Sequence, residues 1–90
     1  MMWYAYILQS KRDNELYVGM TNDLRNRVTM HNAGKVFATR FRYPLVPIYY
    51  EAHDNKYDAA AREQFLKTGW GKNWIKKNLR YHFKSKKLGG

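Results

Sequence analysis

The first third of the chain alternates apolar runs with polar clusters in a pattern that predicts a hairpin followed by a helix. The segments MMWYAYILQS and NELYVGM are rich in aromatic and aliphatic residues, and the polar cluster KRDN between them is typical of a turn. They predict a β-hairpin. Beyond it, Leu24, Val28 and His31 recur at helical spacing, which predicts a helix capped by Thr21 or Asn22.

The remaining residues predict one more strand and two more helices. The segment KVFATRFRYP is basic and irregular and ends at Pro44, so we expect a surface loop. LVPIYYEA predicts a third strand, which Pro47 favours at a sheet edge. DNKYDAAAREQFLKTG predicts a helix capped by Asp54 or Asn55, and WGKNWIKKNLRYHF predicts a shorter one. The order β-β-α-β-α-α predicts an α+β fold, with a small three-stranded antiparallel sheet flanked by helices.

Length and composition narrow the possible functions. Ninety residues suffice for one domain, which we assign to residues 1–83, and we expect the basic tail of residues 84–90 to be disordered. Seventeen Lys and Arg residues against seven Asp and Glu residues give a net charge of +10, and 17% of the residues are aromatic. This balance favours a nucleic-acid partner, DNA or alternatively RNA, over a merely soluble basic protein.

The chain has no cysteine, which excludes disulfides and thiolate metal sites and is typical of a reducing compartment. No apolar run approaches the ~20 residues of a membrane span, and the first residues do not resemble a secretion signal. We therefore predict a cytoplasmic protein without a membrane partner. The oligomeric state is left open.

The tyrosines of the hairpin raise the question of where their hydroxyl groups point. A loop of two or four residues pairs Tyr6 with Gly19 and Leu8 with Tyr17, which places Tyr6 and Tyr17 on one face of the sheet. A loop of three or five residues would separate them. Gly19 would leave a space through which a ligand could approach the sheet. The alternative is that these tyrosines only pack, as most strand tyrosines do.

The motifs together resemble the GIY-YIG nuclease family. They are the tripeptide YAY at residues 4–6, the tripeptide YVG at residues 17–19, and the helix start TNDLRNR at residues 21–27, with His31 four residues further on. The alanine-rich helix that carries Glu63 resembles small single-domain members of this family, of the UPF0213 and excision-repair-subunit types. The resemblance covers nearly the whole chain.

The resemblance implies metal-assisted hydrolysis of a phosphodiester by a water-derived nucleophile. It implies that Glu63 holds a single Mg²⁺ or Mn²⁺ ion, and that Tyr17 acts as the general base while Tyr6 positions the water or a phosphate oxygen. Tyr4 is then expected to face the opposite side of the sheet. Asn78 matches a family asparagine loosely.

Arg27 and His31 lie one turn apart on the helix face that also carries Leu24 and Val28, so both are expected to face the sheet. An arginine there is suited to a phosphate, which its guanidinium can bind through two N–H donors. The alternative is a snorkelling arginine at the helix margin. His31 could transfer protons near neutral pH, or could instead interact with the helix C-terminus as a cation.

Glu63 shares a helix face with Ala59 and Leu66, at the border of the expected core. A carboxylate there loses solvation unless it is paired or binds a metal, and one carboxylate completed by waters and phosphate oxygens is typical of Mg²⁺. The alternative is an ion pair with Lys67, four residues later.

Basic residues in the loop and near the C-terminus are candidates for contacts to the nucleic-acid backbone, which give affinity with little sequence information. Trp70 could stack on unpaired bases, whereas Trp74 is better suited to the core. The candidate backbone-binding residues are Lys35, Arg40, Arg42, Lys72, Lys76, Lys77 and Arg80.

The sequence therefore predicts an endonuclease that cleaves DNA with low sequence selectivity and that acts by substrate shape in repair or recombination. A rival is a nucleic-acid-binding module of the same fold that does not cleave, because Met20 occupies a position where some members carry a lysine. A third, weaker possibility is a basic structural protein associated with RNA.

Overall fold

The computed structural model describes the backbone of residues 1–89 and the side chains of residues 1–85. It confirms the predicted α+β class and element order. The last helical segment is divided in two at Leu79, where the backbone leaves the helical conformation. The strands are β1 (Trp3–Ser10), β2 (Leu16–Thr21) and β3 (Leu45–His53), and the helices are α1 (Leu24–Asn32), α2 (Lys56–Leu66), α3 (Gly69–Asn78) and α4 (Arg80–Gly89).

The three strands form one antiparallel sheet in the order β2-β1-β3. The hairpin loop keeps the register expected for a loop of four residues, since Tyr6 pairs with Gly19 and Leu8 pairs with Tyr17. Tyr6 and Tyr17 therefore share one face of the sheet, as predicted. Pro47 lies on β3, which is an edge strand. A proline is tolerated there because its missing backbone N–H does not interrupt the hydrogen bonding of a central strand.

The two faces of the sheet are covered by different helices. On one face, the buried side chains of Tyr6, Leu8 and Leu45 pack against Leu24 and Val28 of α1. This confirms that the apolar stripe of α1 faces the sheet. On the other face, the buried core consists of Ala5, Ile7, Leu66 and Ile75, and so belongs to β1, α2 and α3.

The helix starts differ in detail from the sequence expectation. Asp23 caps α1, and its carboxylate accepts a hydrogen bond from the Asn26 backbone N–H at 3.1 Å; neither Thr21 nor Asn22 is the cap. A carboxylate at this position also faces the partial positive charge of the helix N-terminus. Asn55 caps α2, as one of the two predicted alternatives.

The basic segment between α1 and β3 is more than a surface loop. Residues Phe37–Thr39 form a 3₁₀ turn, and the side chains of Val36 and Thr39 are buried beneath it. The prediction of a purely irregular loop was wrong because these two residues give the turn an inward-facing side.

The backbone of α4 extends into the segment expected to be a disordered tail, since residues 84–89 are helical. Gly90 and the side chains of residues 86–90 lie outside the described part of the chain. Among the described residues, no helix is long and apolar enough to cross a bilayer.

Candidate active site

A chain of three buried polar side chains lies between the sheet and α1. The Tyr6 hydroxyl lies 2.9 Å from Nε2 of His31, and Nδ1 of His31 lies 2.7 Å from the Thr39 hydroxyl. All three residues are fully buried. Both ring nitrogens of His31 are therefore satisfied, and its ring is held in one orientation.

His31 is neutral in this environment. Burial, followed by the positive charge of Arg27, lowers its pKa from 6.5 to about 4. At neutral pH one ring nitrogen therefore donates and the other accepts. Because the cation is disfavoured, the alternative in which His31 serves as a charged partner of the helix C-terminus is not supported.

The pKa of Tyr6 depends on its burial and on the charges of three neighbouring residues. Burial is the largest influence and raises the pKa of Tyr6 above that of an ordinary phenol, while the adjacent Arg27 opposes this effect. Tyr17 and the carboxylate of Glu63 raise the pKa further. Residues from β2, α1 and α2 thus influence the ionisation of a single phenol on β1.

Arg27 is the cation of the site. It lies on α1, half-buried, and its Nε is buried without a hydrogen-bond partner in the described part of the chain. A buried donor left unpaired is costly, and nearby Tyr6 and His31 do not neutralise the guanidinium charge. The Nε of Arg27 is therefore a donor that an anion could satisfy.

The glycine opposite Tyr6 has a different role from the one expected. A Cβ atom at Gly19 would overlap the Tyr6 hydroxyl and would approach Cε2 of Tyr17 to 3.0 Å. The space above Gly19 is thus filled by the Tyr6 ring, so it is not open to a ligand. Gly19 permits the buried position of Tyr6.

Tyr17 is the more accessible of the two phenols. Its ring centroid lies 4.9 Å from that of His31 and 6.3 Å from that of Tyr6. It is half-buried and lines a groove of about 660 Å³ together with Lys67, Lys72 and Lys76. Leu66 and Ile75, from the core on the other face of the sheet, also line this groove. Tyr17 thus has an accessible surface that the fully buried Tyr6 lacks.

Glu63 lies on α2 with its side chain 18% exposed, and its Oε2 lies 3.2 Å from Nζ of Lys67. The ion pair anticipated as an alternative is thus present. No group of three or more potential metal-ligating side chains occurs among the described residues. A single half-buried carboxylate nevertheless fits Mg²⁺, which takes most of its remaining ligands from water and phosphate oxygens.

Comparison with known proteins identifies the family of the chain. The sequence matches the GIY-YIG catalytic domain over residues 2–80. The chain belongs to the GIY-YIG family. It is 43% identical, over 65 residues, to UPF0213 proteins of Streptococcus pyogenes serotypes M5 and M2, and each match covers 71% of this chain and 70% of the relative.

A solved structure shows the same fold. The solution NMR structure of the UPF0213 protein BH0048 from Bacillus halodurans is similar to this chain with a TM-score of 0.52 and 32% identity, covering 83% of this chain and 82% of that one. The resemblance to small GIY-YIG proteins of the UPF0213 type is therefore confirmed.

Two tyrosine assignments made from the GIY-YIG motif need correction. Tyr4 lies on the same face as Tyr6, because side chains alternate along a strand with a period of two, and its ring packs 5.9 Å from that of Tyr50. Tyr6 is fully buried, so in this arrangement it contacts His31 and is not exposed to a water or phosphate.

A second polar cluster, which the sequence did not reveal, connects α2 to β3. Arg62 donates from Nε and Nη2 to the two oxygens of Glu51 at 2.8 and 2.7 Å, and Tyr49 donates to the same carboxylate at 2.7 Å. Although burial acts in the opposite direction, these hydrogen bonds and one to His53 lower the pKa of Glu51 to about 2. The cluster fixes the backbone beside Glu63.

Thr39 is the other residue that sequence analysis missed. No local sequence pattern indicated the contact of Arg62 with Glu51 or that of Thr39 with His31. Glu51 and Arg62 are eleven residues apart, and Thr39 lies in a segment that was predicted to be irregular. Thr39 and Glu51 are not among the motif residues that carry the family resemblance.

The remaining predicted residues are distributed around the site. Asn78 is exposed and donates to the Trp74 carbonyl of its own helix, and no contact in the described part of the chain joins it to Tyr6, Tyr17 or His31. Arg42 lies 3.4 Å from the Asp13 carboxylate, which competes with any phosphate for this arginine. The other residues that were predicted to contact nucleic acid are exposed or half-buried; they are Lys35, Arg40, Lys72, Lys76, Lys77 and Arg80.

The two tryptophans differ in exposure. Trp74 packs 5.5 Å from the Tyr49 ring and beneath the Arg62 guanidinium, in agreement with a core role. Trp70 is 80% exposed. Its predicted stacking on bases stays a prediction.

Proposed function

We propose that this chain is a metal-dependent endonuclease that hydrolyses DNA phosphodiester bonds with low sequence selectivity. The observation that carries the proposal is the buried, unpartnered Nε of Arg27 beside the Tyr6–His31 pair. A phosphate diester is an anion that can accept hydrogen bonds from a guanidinium and neutralise its charge.

In this proposal, Arg27 binds the non-bridging oxygens of the scissile phosphate and stabilises the additional charge of the transition state. Tyr17 orients the attacking water and, after its own phenol proton has passed to solvent, takes a proton from that water as the phenolate. As the water oxygen bonds to phosphorus, the bond from phosphorus to the leaving sugar oxygen breaks, and this oxygen takes a proton from bulk water. Tyr6, His31 and Thr39 hold Tyr17 from behind.

Glu63 is the proposed metal ligand. A bound Mg²⁺ or Mn²⁺ ion would supply further charge neutralisation at the phosphate. Nζ of Lys67 lies 3.2 Å from the Glu63 carboxylate, so this ion pair would have to break when the ion binds. Lys67, which lines the groove, could then contact the nucleic-acid backbone.

The groove beside Tyr17 supports contacts to the backbone of the substrate. Lys67, Lys72 and Lys76 line it together with the apolar side chains of Leu16 and Ile75. Lysines contact phosphates as point charges and read no base sequence. We therefore expect selectivity to come from the shape of the substrate, as in enzymes of repair or recombination.

A nucleic-acid-binding module that does not cleave is the second candidate. The ion pair between Glu63 and Lys67 favours it, since it satisfies the carboxylate without a metal. In that case the basic groove binds nucleic acid, while the site remains inactive.

The test is a cleavage assay with labelled DNA and RNA, in single-stranded, duplex, nicked and branched forms, in the presence of Mg²⁺ or Mn²⁺. It compares the wild-type protein with Arg27→Ala and with Arg25→Ala, a matched control because Arg25 lies on the same helix and is exposed. The proposal predicts that Arg27→Ala loses cleavage while Arg25→Ala retains it. Binding of these substrates without cleavage by the wild-type protein would favour the second candidate.

A further inference from the structure

The segment of residues 37–41, which we call the stacking turn, exposes two aromatic rings around an arginine. Phe37 and Phe41 are 78% and 70% exposed. The guanidinium carbon of Arg40 lies 3.7 Å from the centre of the Phe37 ring and 4.6 Å from that of Phe41. Arg40 thus covers part of each ring and leaves the rest open to solvent.

The stacking turn is held in place by hydrogen bonds to its backbone. Nη1 of Arg40 donates to the Phe37 carbonyl at 2.6 Å, and Nη1 of Arg12, from the hairpin loop, donates to the Phe41 carbonyl at 3.1 Å. The exposed rings are therefore carried on a fixed backbone, which lowers the entropy lost when a ligand binds them.

The turn is connected directly to the candidate active site. Thr39, on its inner side, is the residue whose hydroxyl lies 2.7 Å from Nδ1 of His31. The inner side of the turn thus contacts His31, and the outer side carries Phe37, Arg40 and Phe41. The turn that exposes these rings is therefore in direct contact with a residue of the site.

We propose that the stacking turn binds an unpaired nucleobase of the substrate, so that the favoured substrates carry single-stranded nucleotides beside the scissile phosphate. In a duplex the faces of the bases are covered by their neighbours, so an exposed ring can stack only on a base that has left the helix. Arg40 then lies where it can meet the phosphate of the same nucleotide. This inference rests on the proposed function.

Charge favours a nucleic acid over a protein at this surface. Arg40 lies over both rings and Arg12 donates to the Phe41 carbonyl, while the carboxylate of Asp13, in the neighbouring hairpin loop, is paired with Arg42. A surface that combines aromatic rings with unneutralised cations suits a polyanion with stackable bases.

The experiment measures binding by fluorescence anisotropy at fixed salt, with EDTA present so that no cleavage is needed. The probes are a blunt DNA hairpin whose loop is a linker without bases, the same hairpin with a single-stranded extension, and the same hairpin with an abasic extension that keeps the phosphates. The proteins are the wild type, the double variant Phe37→Ala/Phe41→Ala, and Tyr57→Ala, a control ring that is 80% exposed on α2.

The inference predicts that the double alanine variant binds the extended hairpin about tenfold more weakly than wild type, as expected for lost base stacking, and binds the blunt hairpin equally well. Tyr57→Ala should match the wild type on every probe. The wild type should bind the hairpin with the abasic extension more weakly than the hairpin with the single-stranded extension. The double variant Phe37→Trp/Phe41→Trp, which keeps aromatic rings, should bind the extended hairpin as tightly as the wild type.

Equal weakening on all probes, or no weakening, would overturn the inference. So would tight wild-type binding of the abasic extension, since the turn would then contact phosphates alone. If light scattering shows that the double variant converts a dimer to a monomer, the rings form a contact between copies of the chain and the inference is wrong.

The outcome is separable from that of the proposed function. If the wild type never cleaves yet prefers the extended hairpin through Phe37 and Phe41, catalysis fails and the stacking site stands. If the wild type cleaves but the double variant shows unchanged binding of every probe, only the stacking site fails.

Discussion

The Tyr6 ring lies over Gly19, its cross-strand partner, in the space that any larger residue would occupy. This relationship buries the Tyr6 hydroxyl and directs it at His31, 2.9 Å away. The organisation of the site therefore depends on the absence of a side chain at position 19.

Gly19→Ala is expected to destabilise the protein by about 1–3 kcal/mol, because the added methyl group would displace the Tyr6 ring in a filled core. Urea denaturation measures this change. The matched control is Gly69→Ala, whose added methyl group meets no atom within 4 Å, and which should be no less stable than wild type. Equal stability of the two variants would contradict the role assigned to Gly19.

Thr39→Val is expected to cost about 1–3 kcal/mol, since it removes the hydroxyl beside Nδ1 and leaves this buried nitrogen unsatisfied. The change should also alter the nitrogen chemical shifts of the His31 ring in NMR spectra. Thr29→Val is the control, because that hydroxyl is exposed and bonds only to the Arg25 carbonyl of its own helix. Unchanged His31 shifts in Thr39→Val would show that Thr39 does not orient the ring.

Stability should fall as the pH falls from about 6.5 to about 4. His31 has a pKa of about 4 in the folded protein and 6.5 when unfolded, so in this window the unfolded chain binds more protons and folding loses free energy. The loss is at most about 3 kcal/mol. His31→Gln should flatten this part of the stability profile, whereas His53→Gln should retain it; equal slopes in both variants would contradict a buried neutral His31.

Glu51→Gln is expected to destabilise the protein by about 2 kcal/mol, because Arg62 would lose its bidentate hydrogen bonds to a half-buried carboxylate. Thermal denaturation at neutral pH measures the change. Glu15→Gln, at an exposed position in the hairpin, is the control. A stability equal to that of the control would mean that the cluster does not hold α2 to β3.

Local rules predicted the parts of the fold that depend on neighbours in sequence. The loop length of the hairpin fixed the pairing of Tyr6 with Gly19, and helical spacing placed Arg27 and His31 together facing the sheet. The position of Pro47 on an edge strand followed from its missing N–H donor.

Tertiary contacts account for what the sequence did not reveal. Thr39 meets His31 only because the 3₁₀ turn folds under α1, and Glu51 meets Arg62 only when α2 packs on the sheet. Tyr6 is buried because its ring fills the space left by the missing side chain of Gly19. The residue types alone did not indicate that the ring would occupy this space.

We propose that Glu63 binds the metal ion required for hydrolysis at the site formed by Tyr17 and Arg27. The most direct test is the Mg²⁺-dependent cleavage rate of Glu63→Gln on a labelled DNA substrate, compared with Asp58→Asn, an exposed carboxylate on the same helix. We predict that Glu63→Gln cleaves at least about a hundredfold more slowly while its DNA affinity is unchanged, and that Asp58→Asn behaves as wild type. Equal cleavage rates in the two variants would contradict the claim.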